Sequence, residues 1–216
     1  MPLANIYSSL INTPREETLT MAVTALITIA PSPSVDTTIR ELQTILESST
    51  TRFIIGTHVQ DPTTIQITSE WPSHFANSHL PRLNAYSPTI TLANLSQSPF
   101  PNTPPPVVEY VKIDFPATSC TPAFQAGIEA DFARFEEILR KRGSMQACGE
   151  VFLTTGWTVG AEGKEGEGEG EIKSFVVVRG WEGMQRFEEA VSTEEFREAV
   201  PILMGWGAPY KLVCVI

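Results

Sequence analysis

The chain spells one series of elements twice. A strand, a helix, two strands and a tryptophan-led helix run over residues 19–95, and the same order returns over residues 107–216. Trp71 follows the alternating run Thr64 to Ser69, and Trp181 follows Phe175-Val176-Val177-Val178-Arg179, so the two tryptophans fix the register between the halves. A layer of this kind keeps an apolar sheet face that needs a partner, and the other half is the nearest partner available. Function is then to be sought where one half holds residues that the other lacks.

In the first half, Met21, Val23, Ala25, Ile27 and Ile29 alternate with a second set of residues, the period of a strand with one strongly apolar face. Pro31-Ser32-Pro33-Ser34 breaks it. Val35, Ile39, Leu42, Ile45 and Leu46 then share one side of a helix, with Ser34 or Asp36 available to cap it. Phe53 to Gln60 and Thr64 to Trp71 read as strands joined by a hairpin at Asp61-Pro62-Thr63. Pro72 suits a first helical turn, so a short helix is expected to about Leu83, followed by a strand from Thr89 to Leu95. Residues 96–106 hold five prolines and form the linker, while residues 1–18 precede the first repeat as an arm.

The second half begins with a strand at Val107 to Phe115. Thr121-Pro122 opens a helix whose Phe124, Ile128, Phe132, Phe135 and Leu139 make one apolar stripe, and Gly143 is expected to end it after Arg140-Lys141-Arg142. Strands at Met145 to Val159 and Glu171 to Arg179 flank residues 160–170, a Gly/Glu run that reads as a mobile loop. That loop lacks the spaced Asp and Asn ligands of a cation-binding loop. Trp181, Met184, Phe187, Val191 and Phe196 mark the last helical region, and Tyr210 to Ile216 closes the chain as a strand. Each half reads β-α-β-β-α-β, the order of a ferredoxin-like α+β layer with both helices on one face.

Charge narrows the partners. Residues 1–105 hold 4 Lys/Arg against 7 Asp/Glu and the rest 11 against 18, an acidic balance that argues against nucleic acid. The apolar run Leu19 to Ala30 is too short to span a bilayer, and Arg15-Glu16-Glu17 before it does not suit a signal peptide, so no membrane partner and a cytoplasmic setting are expected. Cys120, Cys148 and Cys214 are too few for a disulfide framework.

The stretch Trp181-Glu182-Gly183-Met184-Gln185-Arg186-Phe187 through Ser192-Thr193-Glu194-Glu195-Phe196 resembles the helix of the dimeric α/β-barrel superfamily, in its antibiotic-biosynthesis-monooxygenase-like branch. Trp71-Pro72-Ser73-His74-Phe75 through His79-Leu80 answers it in the first half. The resemblance implies a fused pseudo-dimer in which two tandem ferredoxin-like repeats form an α/β barrel, as a monomeric pseudo-dimer or a homodimer. It also implies a hydrophobic, aromatic or polyketide-like small molecule as ligand, and monooxygenase or cyclase chemistry without a cofactor. Members of that branch often carry a histidine before a leucine on this helix; His79-Leu80 matches that arrangement one residue short, and Ala190 stands at the matching place in the second half. Heme-degrading members carry a first-strand asparagine that neither Leu19 to Ala30 nor Val107 to Phe115 contains.

All three histidines, His58, His74 and His79, lie in the first half, and imidazole can take a phenolic or α-carbonyl proton near neutral pH. They are the expected catalytic set, His79 foremost; as decorations on a strand and a short helix they would do nothing. Their spacing, with Glu70, fits no metal-ligand motif, and no metal is expected. Trp71, Phe75, Tyr86 and Trp206 are the expected ligand contacts, although Trp71 and Trp181, present in both halves, fit better as core pillars, and Trp206 lies in a glycine-flanked segment that could cover a pocket. The competing expectations are a non-catalytic binding or stress-responsive protein acting through a protein partner, and an enzyme using Glu150 or Asp114 in the second half.

Overall fold

The computed structural model describes residues 23–30, 34–48, 52–71, 80–141, 148–160 and 170–216. The N-terminal arm, residues 72–79 and most of the Gly/Glu run lie outside them. The described chain is α+β, an antiparallel eight-stranded sheet with four helices. In the first half come β1 (Val23–Ile29), α1 (Val35–Glu47), β2 (Arg52–Thr57), β3 (Ile65–Trp71), a 3-10 segment (Leu80–Tyr86) and β4 (Thr89–Leu95). The second half holds β5 (Val107–Pro116), α2 (Pro122–Arg140), β6 (Glu150–Thr158), β7 (Ile172–Trp181), α3 (Met184–Val191), α4 (Glu194–Met204) and β8 (Tyr210–Val215).

The strands lie in the order β2-β3-β1-β4-β6-β7-β5-β8, so both halves share one internal order and are joined where β4 pairs with β6. Two glycines permit the close approach of strands from opposite halves. A Cβ at Gly156 would collide with the Asn94 carbonyl on β4, and one at Gly56 with the Ile216 carbonyl beyond β8. At the latter corner Thr57 and Ile216 exchange backbone hydrogen bonds of 3.0 and 3.1 Å, and the Val59 N–H donates to the Cys214 carbonyl at 2.8 Å. Beyond this corner and a single bridge, His58 to Val215, the edge strands form no ladder. The sheet is therefore open, and the expected closure into a barrel is not formed, because β2 and β8 run out where they meet.

Alternation divides each strand between two environments. Ala25, Ile27, Ile29, Ile65, Ile67 and Trp71 pack with Leu42 and Leu46 of α1, and Ile113, Phe115, Phe175 and Trp181 pack with Ile128, Phe132, Phe135 and Leu139 of α2. The opposite faces meet each other, with Leu26 and Ala93 against Val108, Tyr110, Val176, Val178 and Val215. A 2.5 Å hydrogen bond between the Thr68 and Tyr110 hydroxyls ties the two halves together. Thus each half covers the other's second sheet face.

Local expectations are met where short-range chemistry acts alone. The Thr121 hydroxyl accepts the Phe124 N–H at 3.2 Å, with Pro122 in the first turn of α2. Asp61 holds the β2–β3 turn by accepting from the Thr63 and Thr64 hydroxyls at 2.6 Å each. Ser34 occupies the N-cap of α1 without a side-chain cap bond. The last helical region is two helices, split because Thr193 caps a new start by accepting the Phe196 N–H at 3.1 Å. Of the strand expected from Met145 to Val159, residues 145–147 lie outside the described residues, and β6 starts at Glu150, after Gly149 turns the chain at φ +74°. Gly143, the expected end of α2, lies outside the described residues.

Candidate functional site in the second half

The two halves differ most at one pair of facing positions. Val23 pairs with Trp71 and Val107 with Trp181, so Ala25 and Ser69 in the first half correspond to Glu109 and Arg179 in the second. In the first half the Trp71 indole donates to the Ser69 hydroxyl at 2.6 Å, inside a packed core. In the second, the Trp181 indole donates to Glu109 Oε2 at 3.0 Å, leaving Oε1 without a hydrogen-bond partner among the described residues.

Above this pair lies a cavity of about 190 Å³. Strands β5, β7 and β8 form its floor and helices α2, α3 and α4 its walls. Phe132, Phe135, Trp181, Phe196 and Trp206 supply aromatic surface, while Ala190 and Val200 leave room that larger side chains would fill. A void of about 150 Å³ suffices for a benzene-sized guest. Among the described residues Glu109 is the one carboxylate lining it.

Beside Glu109, on the same face of the sheet, lies a buried charge cluster that begins with Arg179, itself a lining residue. Arg179, 5% exposed, binds Glu136 through Nη2 and places Nη1 3.5 Å from Glu150 Oε2. Arg140 reaches Glu150 at 2.5 Å and Glu136 at 3.3 Å. With Glu109 the cluster has three carboxylates and two guanidiniums, so full ionisation would leave a net negative charge. Burial raises Glu136 and Glu109 above the usual carboxylate range, against the pull of Arg179. Arg179 Nε and Glu150 Oε2 are buried without a hydrogen-bond partner, and the Arg179 guanidinium lies 5.6 Å from the centroid of the Trp181 ring.

Of the expected ligand contacts, Trp206 lines this cavity, with its indole donating to Asp131 at 3.1 Å. Trp71 is 1% exposed and lines none of the described cavities. Tyr86 donates its hydroxyl to Glu41 at 2.9 Å across the first half's surface. Phe75, His74 and His79 lie outside the described residues. His58 is buried on the face between the two halves, 3.3 Å from Gln66 Oε1, and burial lowers its pKa. That face turns away from α1, so His58 does not enter the space between first-half sheet and helix. Asp114 accepts the Ser174 hydroxyl at 2.6 Å, and Glu150 belongs to the charge cluster.

Glu109, Arg179 and Glu136 were legible as charged residues in phase with apolar faces. Glu109 falls between Val107 and Val111, Arg179 between Val177 and Trp181, and Glu136 beside Phe132, Phe135 and Leu139. None of the three is among the expected site residues.

No protein-family model matches the chain, and no curated protein matches it by sequence. Solved structures do match in fold. A provisionally assigned monooxygenase of Fusobacterium nucleatum superposes with a TM-score of 0.57 at 8% identity, covering 91% of this chain and 92% of that one. A second from Lactobacillus acidophilus gives 0.52 at 11%, covering 91% and 93%. An anthrone oxidase-like protein gives 0.52 at 15%, covering 90% of each chain. These likenesses show a shared α+β fold, the one implied by the resemblance read from the tryptophan-led helices. Among the described residues no helix is long and apolar enough to cross a membrane, and no group of three His, Cys, Asp or Glu is placed to hold a metal ion.

Proposed function

We propose that the protein binds an aromatic, largely apolar small molecule in the second-half cavity and acts on it in the manner of a cofactor-independent monooxygenase or cyclase. The observation that carries this reading is the aromatic cavity whose floor holds a single carboxylate. Apolar walls with a few convergent polar groups are the usual build of a small-molecule site. The shared strand order of the halves supports a fused pseudo-dimer in which, among the described residues, the second half holds a pocket lined by charged groups.

Trp181 and Trp206 line the cavity, so an aromatic guest should quench their fluorescence. Titration with 2-naphthol tests this. Val200→Trp fills the space and should weaken binding at least tenfold while the melting temperature holds. Equal affinity in wild type and Val200→Trp would remove the cavity from the function. A histidine base remains a separate proposal for catalysis: turnover of an aromatic substrate that survives Val200→Trp but disappears in His79→Ala would move the site to the first half.

A further inference from the structure

We infer that Glu109 selects ligands carrying a ring hydroxyl and is the group that receives the hydroxyl proton. The inference rests on the second-half cavity being the ligand site and adds the chemical class the site prefers. Every other described wall is apolar or committed, apart from the Arg179 Nε–H, which is a donor and not an acceptor. The Trp181 and Trp206 indoles donate to Glu109 and Asp131, and Arg179 is engaged with Glu136 and Glu150. Tyr210, the other lining residue with a side-chain oxygen, is 57% exposed. Glu109 Oε1 is thus the hydrogen-bond acceptor that a guest deep in the cavity meets.

An acceptor on an otherwise apolar wall discriminates sharply, because a hydroxyl can satisfy it and an ether of the same shape cannot. The Trp181 N–H on Oε2 holds the carboxyl in place with Oε1 free. Proton transfer from the ring hydroxyl to Oε1 leaves an oxyanion on the guest and a neutral carboxylic acid on Glu109, with no oxidant or reductant involved. Burial makes Glu109 a stronger base than an exposed glutamate. The charged and titratable groups around it are Arg179 on β7, Glu150 on β6, Glu136 and Arg140 on α2, and Cys214 on β8, whose thiol burial pushes up to about 12.

The test compares 2-naphthol with 2-methoxynaphthalene, which shares the rings and lacks the O–H. Wild type at about pH 8 should prefer the naphthol by about tenfold to a hundredfold, the range of a hydrogen bond to a charged group. As pH is lowered from about 8 toward about 5, a carboxyl with a raised pKa takes up its proton before an exposed one would and can then donate to the ether oxygen, so the preference should shrink. Glu109→Gln should narrow the preference and abolish its pH dependence. If Glu109→Gln fails to fold, the wild-type pH series decides alone. Equal binding of both probes at both pH values overturns the acceptor role while leaving the cavity a ligand site. If neither probe binds, the cavity reading falls and the acceptor role with it.

Discussion

Replacing Arg179 by methionine should expose how much the fold depends on its buried charge cluster. The guanidinium is 5% exposed and serves Glu136 and Glu150, so its loss leaves those two carboxylates to Arg140 alone and takes from Glu109 the cation that acts on it. Removing one partner of a buried pair typically costs about 3–5 kcal/mol, because the other charge stays behind without compensation. At about 2–4 °C per kcal/mol for a chain of this size, the melting temperature should fall by roughly 6–20 °C near neutral pH. The deficit should depend on pH in a defined direction. Glu109 and Glu136 have folded pKa values above their unfolded ones, so between those values the folded state binds more protons. Their contribution therefore favours folding in acid and is lost as pH rises through the folded pKa values. Arg179 lowers both pKa values, so its removal raises them further and widens that window. Thermal melts of wild type and Arg179→Met at about pH 4.5 and about pH 8 should show the smaller deficit in acid. A deficit independent of pH, or one below about 1 kcal/mol at about pH 8, would refute the view that these carboxylates depend on Arg179. Adding Glu136→Leu should restore part of the loss, since an apolar replacement removes the stranded charge.

Gly156→Ala places a Cβ against the Asn94 carbonyl, so it should loosen the β4–β6 junction by about 1–3 kcal/mol; faster amide exchange at Val159 and Ser96 would report it, and unchanged exchange would show that the junction yields. Tyr110→Phe leaves the fully buried Thr68 hydroxyl without its partner from the other half, so chemical denaturation should show a loss of about 1–3 kcal/mol, against essentially none if that hydrogen bond is incidental.

Much of the architecture was written locally. Alternation along Val23–Ile29 and Val107–Pro116, the apolar stripe of α2, the Asp61 turn and the Thr121 cap all arise from interactions within a few residues, and they appear where the sequence puts them. In the folded chain the two halves follow one strand order. Glu109 and Arg179 stand in phase with apolar faces, a pattern not read as a site in the sequence, and their meaning depends on what lies opposite. Pairing β5 against β7 brings them side by side, and docking α2 sends Glu136 to Arg179 over 43 residues of separation. The same alternation could not say which face of β2 meets a helix, and the fold turned His58 toward the other half. Nor could it show that β2 and β8 meet only at a corner, since register between distant edges is set by sheet twist and strand length. Local patterning thus determined the elements and their buried faces. Long-range packing decided that the cavity sits over Glu109, because side chains far apart in the chain become a site only when burial forces them to share one interior.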